Sequence, residues 1–138
     1  MVDTQAIRIQ TEGSGTIVDL TPSMAEAITN SNMAAGTITV FVPGSTGGIT
    51  TIEYEPGLLK DVPELMEKLI PSDRDYEHDK TWHDGNGFSH LRAALIGPDL
   101  TVPFAAGKLL LGTWQQVVFL DFDNRSRERE IIFQIMGE

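Results

Sequence analysis

The stretch "WQQVVFLDFDNRSREREIIFQIMG", Trp114–Gly137, decides how this chain folds. Its two segments "WQQVVFLDF" and "REIIFQIMG" are rich in the branched and aromatic side chains that suit a pleated sheet. Between them, from Asp121 to Arg127, lies a polar turn, and both segments are long enough to pair across it. Arg125, Arg127 and Arg129 alternate with Ser126, Glu128 and Glu130, share one face if extended, and read as a solvated strand edge. Trp114 and Gln115 begin the first strand, where a large aromatic can anchor a sheet corner or wall a pocket.

Upstream, "LTVPF" and "KLLLG", punctuated by Gly107 and Gly112, add two strands. At the other end "IRIQT" and "GTIVDLT" flank a Glu-Gly-Ser-Gly turn and read as a hairpin. Thr21 before Pro22 is a helix start, and Met24, Ala27 and Ile28 predict a helix from about Pro22 to Ser31. "GTITVFVPG" is nearly continuous in apolar residues, as in a central strand covered on both faces. Leu58, Leu59, Val62, Leu65, Met66, Leu69 and Ile70 recur at helical spacing, with Pro63 predicting a break or a second start. The pattern is one α+β domain spanning residues 1–138, with mainly antiparallel sheets in a two-sheet core and a few helices.

Composition bounds the function. The net charge is −10, from 20 acidic against 10 basic residues, which disfavours nucleic acid as a partner. No apolar run approaches the ~18 residues of a spanning helix, and the N-terminus lacks the pattern of a signal peptide, so a cytoplasmic protein with no membrane partner is expected. With no cysteine, a metal would rest on histidine and carboxylates.

Three segments carry chemistry. All three histidines, His78, His83 and His90, fall within "YEHDKTWHDGNGFSHLRA", Tyr76–Ala93, beside Asp79, Asp84 and Asn86. Their spacing matches no zinc pattern and suggests a loop, followed by a short helix with Ser89 as cap and Gly97 as stop. His90 then lies in the first turn, where the helix dipole favours a neutral imidazole. "VPGSTGGITTIE", Val42–Glu53, is a glycine-rich loop without the lysine of a P-loop; its backbone and hydroxyls can cradle a phosphate, and the same composition suits a plain turn. The third segment, around Trp114, identifies no ligand.

"VPGSTGGITTIEYEPGLLKD", the block from "YEHD" through "SHLRAALIGP" to "GKLLLGTWQQVVFLDFDNRSRER", and the ending "QIMGE" together resemble the YjbQ family of small bacterial and archaeal proteins. The resemblance implies an α+β domain with two sheets, a homotrimer, and a weak, secondary thiamine-phosphate synthase activity. In that activity a pyrimidine pyrophosphate and a thiazole phosphate are joined with loss of pyrophosphate. It makes Glu53, His78, Asp84 and His90 the candidate acid/base group. Ser45, Thr46, Gly47 and Gly48 become an anion cradle, and Asn86 and Trp114 further ligand contacts. From the residues themselves, His78 with His90 is the candidate metal pair for a divalent ion, and the histidine nitrogens with Asp84 or Glu53 can assemble a site if the fold brings them together. Family members usually carry histidine at the position of Gly44 and often at that of Phe88. The partner expected is a small phosphorylated molecule or inorganic anion; a non-catalytic binding module for such a metabolite and a trimeric assembly protein are the alternatives.

Overall fold

In the computed structural model, which describes residues 1–138, β7 (Gln116–Asp121) and β8 (Arg127–Gly137) form where the sequence places them but do not pair. The burial patterns give the reason. From Val117 to Asp121 every residue of β7 is buried, so both faces of that strand need cover. Along β8, Arg129, Ile131, Phe133 and Ile135 are buried while Glu128, Glu130, Gln134 and Met136 are exposed, so it has one wet face. Side by side in one sheet, they would set a dry face beside a wet one.

The strands therefore lie in separate antiparallel sheets. One has the order β1 (Val2–Thr11), β8, β3 (Ala35–Phe41), β5 (Asp99–Ala105) and β6 (Lys108–Leu109); the other has β2 (Thr16–Asp19), β7 and β4 (Gly47–Ile52). β3 pairs with both β8 and β5, as its central reading anticipated, but only one face is covered: Ile38 and Val40 are buried while Thr37 and Phe41 are exposed. The expected N-terminal hairpin is also overturned: β1 pairs with β8, from Val2 opposite Met136 to Thr11 opposite Arg127, while β2 pairs with β7. Both turns are crossings from one sheet to the other, and they run against each other. The Ser14 amide donates to the Asp123 carbonyl at 2.7 Å. At Gly13 (φ 86°) a Cβ would lie 2.5 Å from the Arg125 carbonyl oxygen, so no side chain fits.

Four helices complete the chain: α1 (Thr21–Ser31), α2 (Pro56–Leu69), α3 (Glu77–Trp82) and α4 (Gly87–Ile96). The larger core joins Ile38, Ile131, Phe133 and Ile135 of the five-stranded sheet to Ile49, Val117 and Phe119 of the smaller one, with Met24, Ala27 and Ile28 of α1. On the far side of the smaller sheet, Val118, Leu120 and Phe122 pack with Met66 of α2 and Ala93 of α4. The inner sheet is thus covered twice.

Local details differ from the sequence reading at helix ends. Thr21 is the first residue of α1, not its cap: its amide donates to Asp19, and its hydroxyl accepts from the Val117 amide at 2.9 Å. α2 runs through Pro63 without a break. Pro56 opens it and the Glu55 carboxylate accepts from the Gly57 and Leu58 amides, and the helix tolerates the one hydrogen bond Pro63 cannot donate. No helix is long and apolar enough to cross a membrane.

Candidate functional site

The histidine segment, expected as a loop, contains α3. The Asp79 side chain organises it, one oxygen accepting from the Tyr76 amide at 3.0 Å and the other from the Gly87 amide at 2.9 Å. Those two amides hold its carboxyl below the usual carboxylate range. The same bonds clamp the start of α3 to the start of α4. The approach is so close that a Cβ at Gly87 would meet the Tyr76 Cβ at 2.7 Å.

α4 begins at Gly87, earlier than expected, so Ser89 is not its cap. Ser89 is buried, lies against the Asn86 side chain and donates to the Phe122 carbonyl at 2.5 Å, which ties α4 to the end of β7. Asn86 is likewise buried, and its side-chain oxygen also accepts from the Asn124 amide, so it fastens the turn instead of facing a ligand. His90 stays in the first turn, and Gly97 ends the helix as expected.

Clamped in this way, α3 and α4 stack His78 on His90, with ring centroids 4.2 Å apart and planes inclined by 37°. Burial holds the His90 imidazole below its ordinary pKa, and the neighbouring His78 adds to that, against an opposing pull from Asp84 and Asp123. Neutral His90 can accept a proton near pH 7. His78 Nδ1 is screened from solvent and has no hydrogen-bond partner. Its closest carboxylates are Asp84 Oδ1 at 3.8 Å and Asp79 Oδ1 at 3.9 Å, both too far for a hydrogen bond. These three residues offer ligand atoms within 4.8 Å of one another. His78 thus gathers two carboxylates around it, and His90, the other member of the expected metal pair, is stacked beside them.

Two depressions flank His90. One of about 400 Å³ is lined by Arg74, Asp75, Tyr76, Glu77, His78, Gly87 and Leu91; the other, of about 240 Å³, by Gly44, Ser45, Gly47, Ala93, Ala94 and Pro98. Such volumes approach or reach those of small-molecule sites. The glycine-rich loop and His90 therefore do share a groove.

Other expected members of the site lie elsewhere. Glu53 is exposed just beyond the far end of β4, about 20 Å of extended chain from Gly47. The fold of one chain separates it from the imidazoles. Thr46 is buried, donates to Asp123 at 2.9 Å and accepts from Arg129 at 2.8 Å, so its hydroxyl is used inside the protein. Gly47 and Gly48 are small for packing: a Cβ would meet the Phe119 ring at 2.5 Å or the Ile96 side chain at 2.7 Å. Of the cradle, Ser45 and Gly47 line a groove, next to Gly44. Trp114 stands exposed in the turn before β7 and walls neither depression. His83 ends α3 in the left-handed conformation (φ 55°), exposed and outside both depressions.

The arginine cluster is the largest departure. Arg129 is buried and clasps Asp121 with Nε at 2.9 Å and a terminal nitrogen at 2.8 Å, and Arg127 bonds Asp123 at 3.1 Å. Only Arg125 remains on the solvated face the sequence suggested. At Gly44 a Cβ would lie 3.3 Å from an Arg129 nitrogen, so a histidine there would stand over this cluster. Phe88 is buried under the Arg92 guanidinium, 4.8 Å from its ring, and belongs to the packing.

The model of the UPF0047 protein YjbQ-like family matches residues 5–138. A UPF0047 protein of Archaeoglobus fulgidus is 39% identical over 116 residues, 84% of this chain and 88% of that relative. One from Methanocaldococcus jannaschii is 34% identical over 95% of this chain and 92% of its own length. Among solved structures, a hypothetical protein from Aeropyrum pernix K1 superposes with a TM-score of 0.90 at 29% identity, covering 99% of each chain. A YbjQ-like protein of unknown function from Sulfolobus solfataricus gives 0.88 at 28% identity over the full length of both. The two-sheet architecture is common to them, and the chain belongs to the YjbQ-like UPF0047 family.

Proposed function

We propose that the depression between α3 and α4 binds a small phosphorylated molecule and that His90 serves there as acid or base in a group transfer of the thiamine-phosphate synthase type. The observation that carries this reading is the stacked His78 and His90 pair, with a buried and unpartnered Nδ1, beside a cavity of about 400 Å³. A buried nitrogen without a partner costs stability, so its retention favours a ligand that supplies one. His90, kept neutral by burial and by His78, is suited to moving a proton as a nucleophile attacks or a pyrophosphate leaves. Arg74 supplies a donor in this depression, and the Ser45 hydroxyl supplies one in the groove on the other side of His90.

Calorimetry with pyrophosphate, and pyrophosphate release from the two thiamine precursors, test the reading. Binding and slow turnover are expected for the native chain, with turnover lost in His90→Ala. Binding without turnover leaves the non-catalytic module, and no binding with or without a divalent cation ends the phosphate reading.

Self-association as a homotrimer is part of the proposal. Leu65 and Leu69 of α2 and Leu91 and Leu95 of α4 are about half exposed, a cost that burial between copies would remove. Light scattering is expected near three times the 15.1 kDa chain mass; a monomer would contradict it.

A further inference from the structure

The depression beside His78 is acidic. Asp75 and Glu77 line it, Asp79 and Asp84 stand at its histidine, and Arg74 is the one cation on its wall. The chain as a whole is also strongly negative. A phosphate brought here bare would meet like charge on most sides, and a single arginine is a weak offset. Something positive is needed. The unpartnered nitrogen of His78 faces the two carboxylates across gaps of 3.8 and 3.9 Å that hold no hydrogen bond.

We infer that His78 Nδ1 with Asp79 Oδ1 and Asp84 Oδ1 forms a divalent-cation site of the zinc or manganese class, with a fourth position open to water or phosphate. One nitrogen and two carboxylate oxygens are a donor set such ions accept, and three protein ligands with an open position is the arrangement of catalytic rather than structural sites. The ligands are oriented. Asp79 is fixed by the Tyr76 and Gly87 amides, and Asp84 Oδ1 accepts from the Asn86 amide at 3.2 Å. Donor atoms on one tetrahedral zinc at ~2.0–2.2 Å stand about 3.4 Å apart. The present atoms lie within 4.8 Å of one another, so closure asks for a shift of about an ångström. Asp84, half exposed on its turn, can make most of it, and the 3.9 Å gap between His78 and Asp79 closes by about half an ångström through a small turn of the imidazole.

The cation site stands on these residues alone, whereas its service to phosphate rests on the functional reading above. His90 remains an unmetallated imidazole at its flank, available for proton transfer. Without the ion the acidic wall repels the anion; with it, the open position is the anion's contact.

The test uses metal-stripped full-length protein titrated with Zn²⁺, and separately with Mn²⁺, in a buffer free of phosphate. One ion per chain is expected. Affinity should fall about a hundredfold or more in His78→Ala and in Asp84→Asn, since even outer-shell partners of a metal are worth 10- to 100-fold. His83→Ala should change it by less than threefold. Nitrogen NMR should show the His78 Nδ1 resonance moving on Zn²⁺ addition in the native chain. No saturable binding, or equal affinity in the His78→Ala, Asp84→Asn double variant, overturns the site. Equal displacement of His78 and His90 resonances overturns this donor set in favour of the histidine pair. Pyrophosphate is then titrated with the ion and with chelator. Ion uptake without pyrophosphate binding keeps the site and ends the phosphate reading; pyrophosphate binding undiminished by chelator ends the ion's role in it.

Discussion

Two polar clusters neighbour each other in this molecule, near enough for Asp123 to act on His90, and are built on opposite terms. Where β7 leaves the inner sheet, Asp121, Asp123, Thr46, Thr11 and Arg129 are buried, and every one has a partner: Thr11 and Arg129 bond Asp121, and Thr46 bonds both Asp123 and Arg129. Between α3 and α4, His78, Asp84 and His90 are only part-buried or exposed, and His78 Nδ1 has no partner. A satisfied buried network is complete without a ligand and serves the fold. An unsatisfied nitrogen at the wall of a depression is complete only with one.

The sharpest way to break that contrast is Arg129→Met. It leaves the buried Asp121 carboxylate without its cation, for which about 3–5 kcal/mol of destabilisation is typical. Urea melts are expected to show the loss, to the point of unfolding in a domain of ordinary stability. A cost under about 1 kcal/mol would mean the cluster is wetter than its burial implies.

Thr46→Val is expected to cost about 1–3 kcal/mol by leaving Asp123 and Arg129 each one bond short. Pyrophosphate affinity of the folded variant should not change. Lost affinity at full stability would return Thr46 to the ligand.

His78→Ala and His90→Ala should show the reverse pattern. Thermal melts are expected within about 1.5 kcal/mol of the native chain, the worth of one stacked ring pair. Ligand affinity should drop about tenfold or more, the size of one hydrogen bond to a charged group. Two destabilised variants with intact binding would make the histidines structural.

Acid separates the clusters by pH. Burial alone would raise the Asp123 carboxyl, but the Thr46 hydroxyl and Arg127 outweigh it and leave the group below its ordinary value. A carboxyl lowered by folding contributes stability above its unfolded pKa, and that contribution is lost as pH falls through the folded value. Melts should be flat in this respect from pH 7 to about 5 and weaken below about pH 4. In Arg127→Met the acid loss should be smaller.

The smallest effect belongs to His83→Ala, which is expected to move neither stability nor affinity by more than about 0.6 kcal/mol, threefold in binding. A larger change in pyrophosphate affinity would extend the site beyond α3.

The segments and their character were legible in the sequence, as was the crowding of three histidines, because apolar periodicity and turn residues act within a few positions of themselves. The continuous run in β7 and the alternation in β8 even state how many faces each strand must bury. They do not name a neighbour. Two strands joined by a short polar turn have the composition of a hairpin whether they pair or part, and only the fitting of both sheets and α1 around one core sent them to different layers. The same holds for the site. Arg129 alternates with glutamates like any surface arginine, and Asp79 is one acid among 20, until Asp121 arrives from β7 and the Gly87 amide from α4. Glu53, continuous in motif with Thr46, is carried off by the length of β4. Sequence spacing gives reach along the chain, while burial and partnership come from what packs across it, and for a charge or an imidazole that packing decides whether it holds the fold or a ligand.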